Sequence, residues 1–127
     1  MKTILLVDDD PLVLKVVERM LPRPCQDGQV TTARGGTEAL QLARGAHFDL
    51  LITDIQMPPP DGLEVIREVH RLRPSMKIMA MSGVASLDEA GLCRSIQALG
   101  ADVVLQKPFA AAELFEGVRG LLRDAHE

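Results

Sequence analysis

Five short aliphatic runs, each followed by a stretch of helical periodicity, constrain this chain more than any other feature. The runs occupy residues 3–7, 30–33, 50–53, 78–81 and 103–105, and the second is the weakest. They are near-continuous rather than alternating. Strands covered on both faces read this way, and such strands usually belong to a parallel sheet. The stretches between them carry helix signals. Asp10-Pro11 sets a capping residue before a proline at the first helical position. That helix is predicted to reach about residue 21, before Pro22 and Pro24. A second is predicted over residues 37–44, ending at Gly45. A third runs from Asp61-Gly62 to before Pro74, with Leu63, Ile66 and Val69 facing inward. The fourth opens on the capping box Ser86-Leu87-Asp88-Glu89, carries Leu92, Ile96 and Leu99, and stops at Gly100. The last covers residues 110–124, with Leu114, Phe115, Val118, Leu121 and Leu122 on one face. Five strand–helix units in succession predict an α/β fold: a (βα)5 doubly wound, five-stranded parallel sheet with right-handed crossovers.

Length and charge narrow the function. The 127 residues suit one domain, with no repeat or linker to divide them. The net charge of −4, the lack of Trp and Tyr and the presence of only three Phe oppose direct nucleic-acid binding. Cys25 and Cys93 form no CxxC, so neither a disulfide framework nor a zinc site is expected. No apolar run approaches the roughly 18 residues of a membrane span. A cytoplasmic, reducing setting is the expectation.

In open parallel sheets, ligands bind beyond the carboxyl ends of the strands. After the first run come Asp8, Asp9 and Asp10; after the third, Asp54; after the fourth, Ser82; after the fifth, Lys107 and Pro108. Asp10 is read as the helix cap. Adjacent carboxylates at the end of a buried strand repel one another unless a cation sits among them. With Asp54 beside Asp8 and Asp9, an oxygen-rich site for a hard cation such as Mg²⁺ is expected. Lys107, one of four lysines, is expected to offset the acids. Acids, a hydroxyl, an ammonium and a divalent cation suit phosphoryl transfer, in which a carboxylate can act as nucleophile.

These residues, in this order, resemble the CheY-like receiver domain of two-component response regulators. The matching stretches are ILLVDDDP from Ile4, ARGGTEAL from Ala33, DLLITDIQMP from Asp49, DGLEVI from Asp61, IMAMSG from Ile78 and GADVVLQKPF from Gly100. The resemblance spans essentially the whole chain and implies the flavodoxin-like strand order 2-1-3-4-5. It implies that Asp54 is the phosphoacceptor, phosphorylated by a sensor histidine kinase or phosphotransfer protein. Asp8, Asp9, Asp54 and the backbone carbonyl of Gln56 would hold Mg²⁺ or Mn²⁺. Ser82 would bond a phosphoryl oxygen, Lys107 would pair with the phosphoryl group, and the Lys107–Pro108 peptide would be cis. Output would go to a target protein, or to an effector domain outside this single receiver domain of residues 1–127. The implied assembly is a monomer or weak dimer, and catalysis extends only to self-phosphorylation and self-dephosphorylation. One departure concerns the switch. Receivers usually carry an aromatic residue three positions before the lysine, where this chain has Val104. A β-branched side chain has too few rotamers to swing as a ring does. Movement is therefore expected in the loop from Ser82 to Ser86. A second departure is the stiff Pro58-Pro59-Pro60 loop.

The main rival is a haloacid-dehalogenase-type phosphatase, with Asp8 as nucleophile and Asp10 as acid. It leaves Asp54 without a role, and no acidic pair follows Lys107. A pseudo-receiver that only binds a partner leaves the acid, hydroxyl and lysine set unexplained. Neither GxGxxG nor a P-loop follows any strand, which opposes a nucleotide-binding module. His70, in the run His70-Arg71-Leu72-Arg73-Pro74, is read as a solvated surface residue, and His47 and His126 have no neighbours in sequence that suggest catalysis.

Overall fold

Every aliphatic run becomes a strand. The computed structural model describes residues 2–21, 30–83 and 91–124. Its elements are β1 (Ile4–Val7), α1 (Pro11–Met20), β2 (Val30–Ala33), α2 (Gly36–Gly45), β3 (Leu50–Asp54), α3 (Gly62–Leu72), β4 (Lys77–Ser82), α4 (Leu92–Leu99), β5 (Val103–Gln106) and α5 (Ala111–Asp124). All strand pairs are parallel, in the order 2-1-3-4-5. The order reverses at β1, which has β2 on one side and β3 on the other. The carboxyl ends of β1 and β3 therefore flank the switch point of the sheet.

Alternation along the strands sends successive side chains to opposite faces. Leu5, Val7, Leu51, Ile55 and Ile78 pack with Ala39, Ala43, Val65, Ile66, Val69 and Ile96 from α2, α3 and α4. Ile4, Leu6, Leu50, Ile52, Met79 and Met81 pack on the other face with Leu14 and Val17 of α1 and Leu114 and Val118 of α5. Each fully buried aliphatic side chain contributes roughly 1.5–3 kcal/mol. With two covered faces, the sheet centre cannot shift register without displacing both layers.

Double coverage does not extend to the edges. Thr31 and Thr32 of β2 are exposed, and Val103, Val104 and Leu105 of β5 are only half-buried. The aliphatic run at 103–105 reads like a central strand, yet β5 pairs with β4 alone. An edge strand has no neighbour on one side, so fewer side chains reach over it.

Helix ends follow local chemistry. Asp10 caps α1 by accepting from the Leu12 N–H at 2.9 Å, with Pro11 next. Asp61 caps α3 by accepting from the Glu64 N–H at 3.0 Å. Val65 of α3 is fully buried while Leu63 is only half-buried, so the inner stripe is rotated from its predicted position. The Ser86 capping box lies outside the described residues. As described, α4 starts at Leu92 after Gly91 and ends at Gly100, which has φ 131°. The His70 ring fills the space a Gly100 side chain would need, with a Cβ there 2.6 Å from its Cγ. On α5, Phe115 is half-buried, and the Arg119 guanidinium lies 5.7 Å from its ring centroid.

Candidate functional site

β1 and β3 deliver their acids side by side because their residues pair in register up to Val7 and Thr53. Asp8 follows at once, and its N–H donates to the Ala33 carbonyl at 3.1 Å, tying it to the end of β2. Its side chain is 2% exposed. One oxygen accepts from the Asp10 N–H at 2.9 Å and the other from Lys107 Nζ at 3.3 Å. Asp9 is exposed. Asp54, the last residue of β3, is 6% exposed, and its Oδ1 lies 3.5 Å from Lys107 Nζ. The same oxygen accepts from the Gln56 N–H at 3.4 Å. Carboxylate oxygens of Asp8, Asp9 and Asp54 all lie within 4.8 Å of one another.

β4 and β5 bring the other two groups. Ser82 is fully buried at the end of β4 and pairs with Gln106 of β5. One residue on, the Lys107 N–H donates to the Ser82 carbonyl at 2.7 Å. The ladder thus joins the lysine and serine main chains beyond the strand ends. The Lys107–Pro108 peptide is cis, as is Pro59–Pro60. Val104 stands opposite Ala80, half-buried against the α2–α4 layer.

Burial pushes the Asp54 carboxyl above its ordinary value, and the Asp8 charge adds to this. The Lys107 ammonium pulls it back, as does the Gln56 N–H, without cancelling the rise. Three carboxylates against one ammonium leave excess negative charge in a largely dry place. That donor set fits a hard divalent cation, which takes oxygen ligands and relieves the repulsion.

Two features of the site escape the sequence reading. A Cβ on Gly62 would lie 2.1 Å from the Asp54 carbonyl oxygen and 2.4 Å from Ile55 Cα, so only glycine lets α3 approach β3 this closely. The Thr53 hydroxyl donates to the Asp54 carbonyl at 2.9 Å. Its signal was a lone polar residue inside the aliphatic β3 run. Other candidates stay apart from the site. Asp10 is occupied in capping α1. His47 is exposed, 3.6 Å from Asp49, and His70 packs on Gly100. Cys25 and His126 lie outside the described residues. An open apolar groove of about 470 Å³ adjoins Lys107, lined by Leu12, Val13, Val16 and Met20 of α1 and by Phe109.

A parallel sheet of order 2-1-3-4-5, with acids closing β1 and β3 and a lysine following β5, defines a CheY-like α/β domain. The chain matches the family described as response regulator receiver domain over residues 4–119. It is 38% identical over 122 residues to the transcriptional regulatory protein PrrA of Mycobacterium leprae, covering 94% of this chain and 49% of that one. The chain thus spans about half the length of the curated relatives it matches. Among solved structures it resembles a CheY-like receiver domain protein from Methanospirillum hungatei, with TM-score 0.85, 30% identity and coverage of 99% and 97%. It also resembles the response regulator TrrA from Thermotoga maritima, solved in complex with Mg²⁺-BeF, with TM-score 0.79, 32% identity and coverage of 95% and 99%. The chain belongs to the response regulator receiver family and is a signalling domain of the two-component type. The phosphatase reading finds no support: the family is a different one, and Asp10 is a helix cap.

Proposed function

We propose that Asp54 accepts a phosphoryl group from a histidine kinase or phosphotransfer protein. The single observation that carries this is the Lys107 ammonium bridging Asp8 and Asp54, two buried carboxylates at adjacent strand ends. Asp54 Oδ attacks phosphorus, and the P–N bond of the donor phosphohistidine breaks. Its electron pair stays on the imidazole, which takes up a proton. In the reverse sense of the signal, water attacks phosphorus, inorganic phosphate leaves and the carboxylate is restored. Apart from these two reactions on its own side chain, the domain catalyses nothing in this reading.

Asp8, Asp9, Asp54 and the Gln56 carbonyl are the groups that would hold Mg²⁺, or Mn²⁺. The cation supplies positive charge that offsets the phosphoryl oxygens when bound. Lys107 shares that task as a compact point charge from the other side. Ser82 donates its hydroxyl to a phosphoryl oxygen and, through the Lys107 N–H, is tied to the same strand ends. Burial of Asp54 keeps competing water away from the acyl phosphate.

Residues 1–127 act as one receiver domain in the cytoplasm, as a monomer or weak dimer, passing the signal to a target protein or an attached effector. Among the described residues, no helix is long and apolar enough to cross a membrane. The signal is read elsewhere than at Val104, whose side chain is too small to swing; the loop from Ser82 to Ser86, where movement is expected, lies beyond Gly83 outside the described residues. Incubation with acetyl phosphate and Mg²⁺ is expected to add one phosphoryl group, detected by intact mass. Asp54→Asn or a chelator removes the label. Equal labelling of Asp54→Asn refutes the assignment.

A further inference from the structure

Thr53 is the one polar residue of β3 before Asp54, and it is fully buried. Its side chain points to the face opposite Asp54, the side of Leu51 and Ile55. Valine has the same shape with no polar atom, so a hydroxyl there needs an acceptor to offset its burial. The acceptor is the Asp54 carbonyl at 2.9 Å. The register between β1 and β3 ends at the pair Val7 and Thr53, so this carbonyl lies past the last paired residue of β1. Across the same peptide, the Ile55 N–H donates to the Met81 carbonyl at 3.0 Å. Gly62 walls the carbonyl from the α3 side, as its missing Cβ shows.

The Asp54–Ile55 peptide is therefore held at both of its polar atoms. One end of that plane is the Cα that carries the reacting carboxylate. The other leads to Gln56, whose N–H reaches Asp54 Oδ1. A peptide released at its carbonyl can pivot about the remaining Ile55–Met81 bond, which turns the carboxylate and shifts the Gln56 N–H together.

Given Asp54 as the phosphoacceptor, we infer that Thr53 is a positioning residue whose hydroxyl fixes the peptide that aims the Asp54 carboxylate. It touches neither donor nor phosphoryl group. In-line attack is sensitive to small misplacements of the nucleophile, so loss of the hydroxyl lowers the maximal rate by about tenfold.

The test measures the labelling rate of the whole chain against acetyl phosphate and Mg²⁺ concentrations. Thr53→Val is expected to lower the maximal rate by about tenfold while leaving the half-saturating acetyl phosphate concentration within about twofold. Thr53→Ser, which keeps the hydroxyl, is expected to stay within about twofold of wild type throughout. If Thr53→Val does not fold, Thr53→Ala replaces it, and Thr53→Ser must still separate from it. The inference is overturned if the variant lacking the hydroxyl labels at the wild-type rate. It is equally overturned if Thr53→Ser is as slow as that variant, or if only half-saturation changes. Asp54→Asn serves as the parallel control. Labelling of that variant at the wild-type rate refutes the phosphoacceptor reading itself, and with it this inference.

Discussion

Replacing Lys107 with methionine removes the one ammonium that reaches the acid cluster among the described residues and keeps an apolar stem against the α1 groove. The ammonium stands 3.3 Å from Asp8 and 3.5 Å from Asp54. At an effective dielectric of 20, each contact is worth about 5 kcal/mol of gross attraction. The lysine side chain is 27% exposed, so water screens part of this. Its desolvation is also relieved in the variant. Stranding buried carboxylates costs about 3–5 kcal/mol in comparable pairs, and a net loss of about 3 kcal/mol follows once screening is included. In a domain of 127 residues that lowers Tm by about 11 °C. The assay is thermal and urea unfolding at pH 7 in chelator, completed as a cycle with Asp54→Asn. The double variant is expected to recover at least half of the loss, because one of the stranded charges is gone. Lowering the pH does the same. Burial and Asp8 hold the folded Asp54 carboxyl above its unfolded value, so its contribution to stability falls as pH rises through that interval. Without Lys107 the folded value rises further and the interval widens. The deficit seen at pH 7 therefore shrinks as the pH is lowered through the raised folded value toward the ordinary carboxyl range. A single variant within about 0.5 kcal/mol of wild type refutes the reasoning, as does a double variant no more stable than the single.

Mg²⁺ at ten times its Kd is expected to stabilise the wild type by about 1.4 kcal/mol in thermal unfolding, and Asp9→Asn to weaken the response. Gly62→Ala drives a methyl into the Asp54 carbonyl and Ile55 Cα; urea titration is expected to show a loss of about 1–3 kcal/mol. Gly45→Ala meets nothing within 4 Å at the end of α2 and is expected to change stability by less than about 1 kcal/mol, in the stabilising direction. Asp10→Ala loses the cap of α1 and about 1 kcal/mol, without loss of labelling at Asp54. Paired structures with and without beryllofluoride and Mg²⁺ are expected to show Val104 in one rotamer.

The features legible in the sequence are those decided within a few residues. Asp10-Pro11 and Asp61-Gly62 placed two helix starts, and the aliphatic runs placed all five strands, nearly where they lie. The acids after β1 and β3 were legible as a group because a doubly wound sheet puts all strand ends on one edge. What differs within the group was not. Asp8 and Asp9 are adjacent and chemically alike, yet one is buried against Lys107 and the other faces solvent. Only the pleat beyond Val7 decides which. The half-buried state of β5 depends on its having one neighbour, which is a property of strand order rather than of Val103 or Leu105. Gly62 and Thr53 act on the Asp54 main chain, and main-chain contacts leave almost no trace in side-chain pattern.

Helix α1 divides its apolar residues between two duties. Leu14 and Val17 point inward, whereas Leu12 and Val16 stand 68% and 45% exposed beside the groove that adjoins Lys107. The inward pair holds the helix on the sheet, and the strand tips carry the acids and the lysine. The outward pair does neither. Positions 12 and 16 are therefore free to change without disturbing either the packing of α1 on the sheet or the charges at the strand tips, so the outside of the domain and its reactive edge can vary independently.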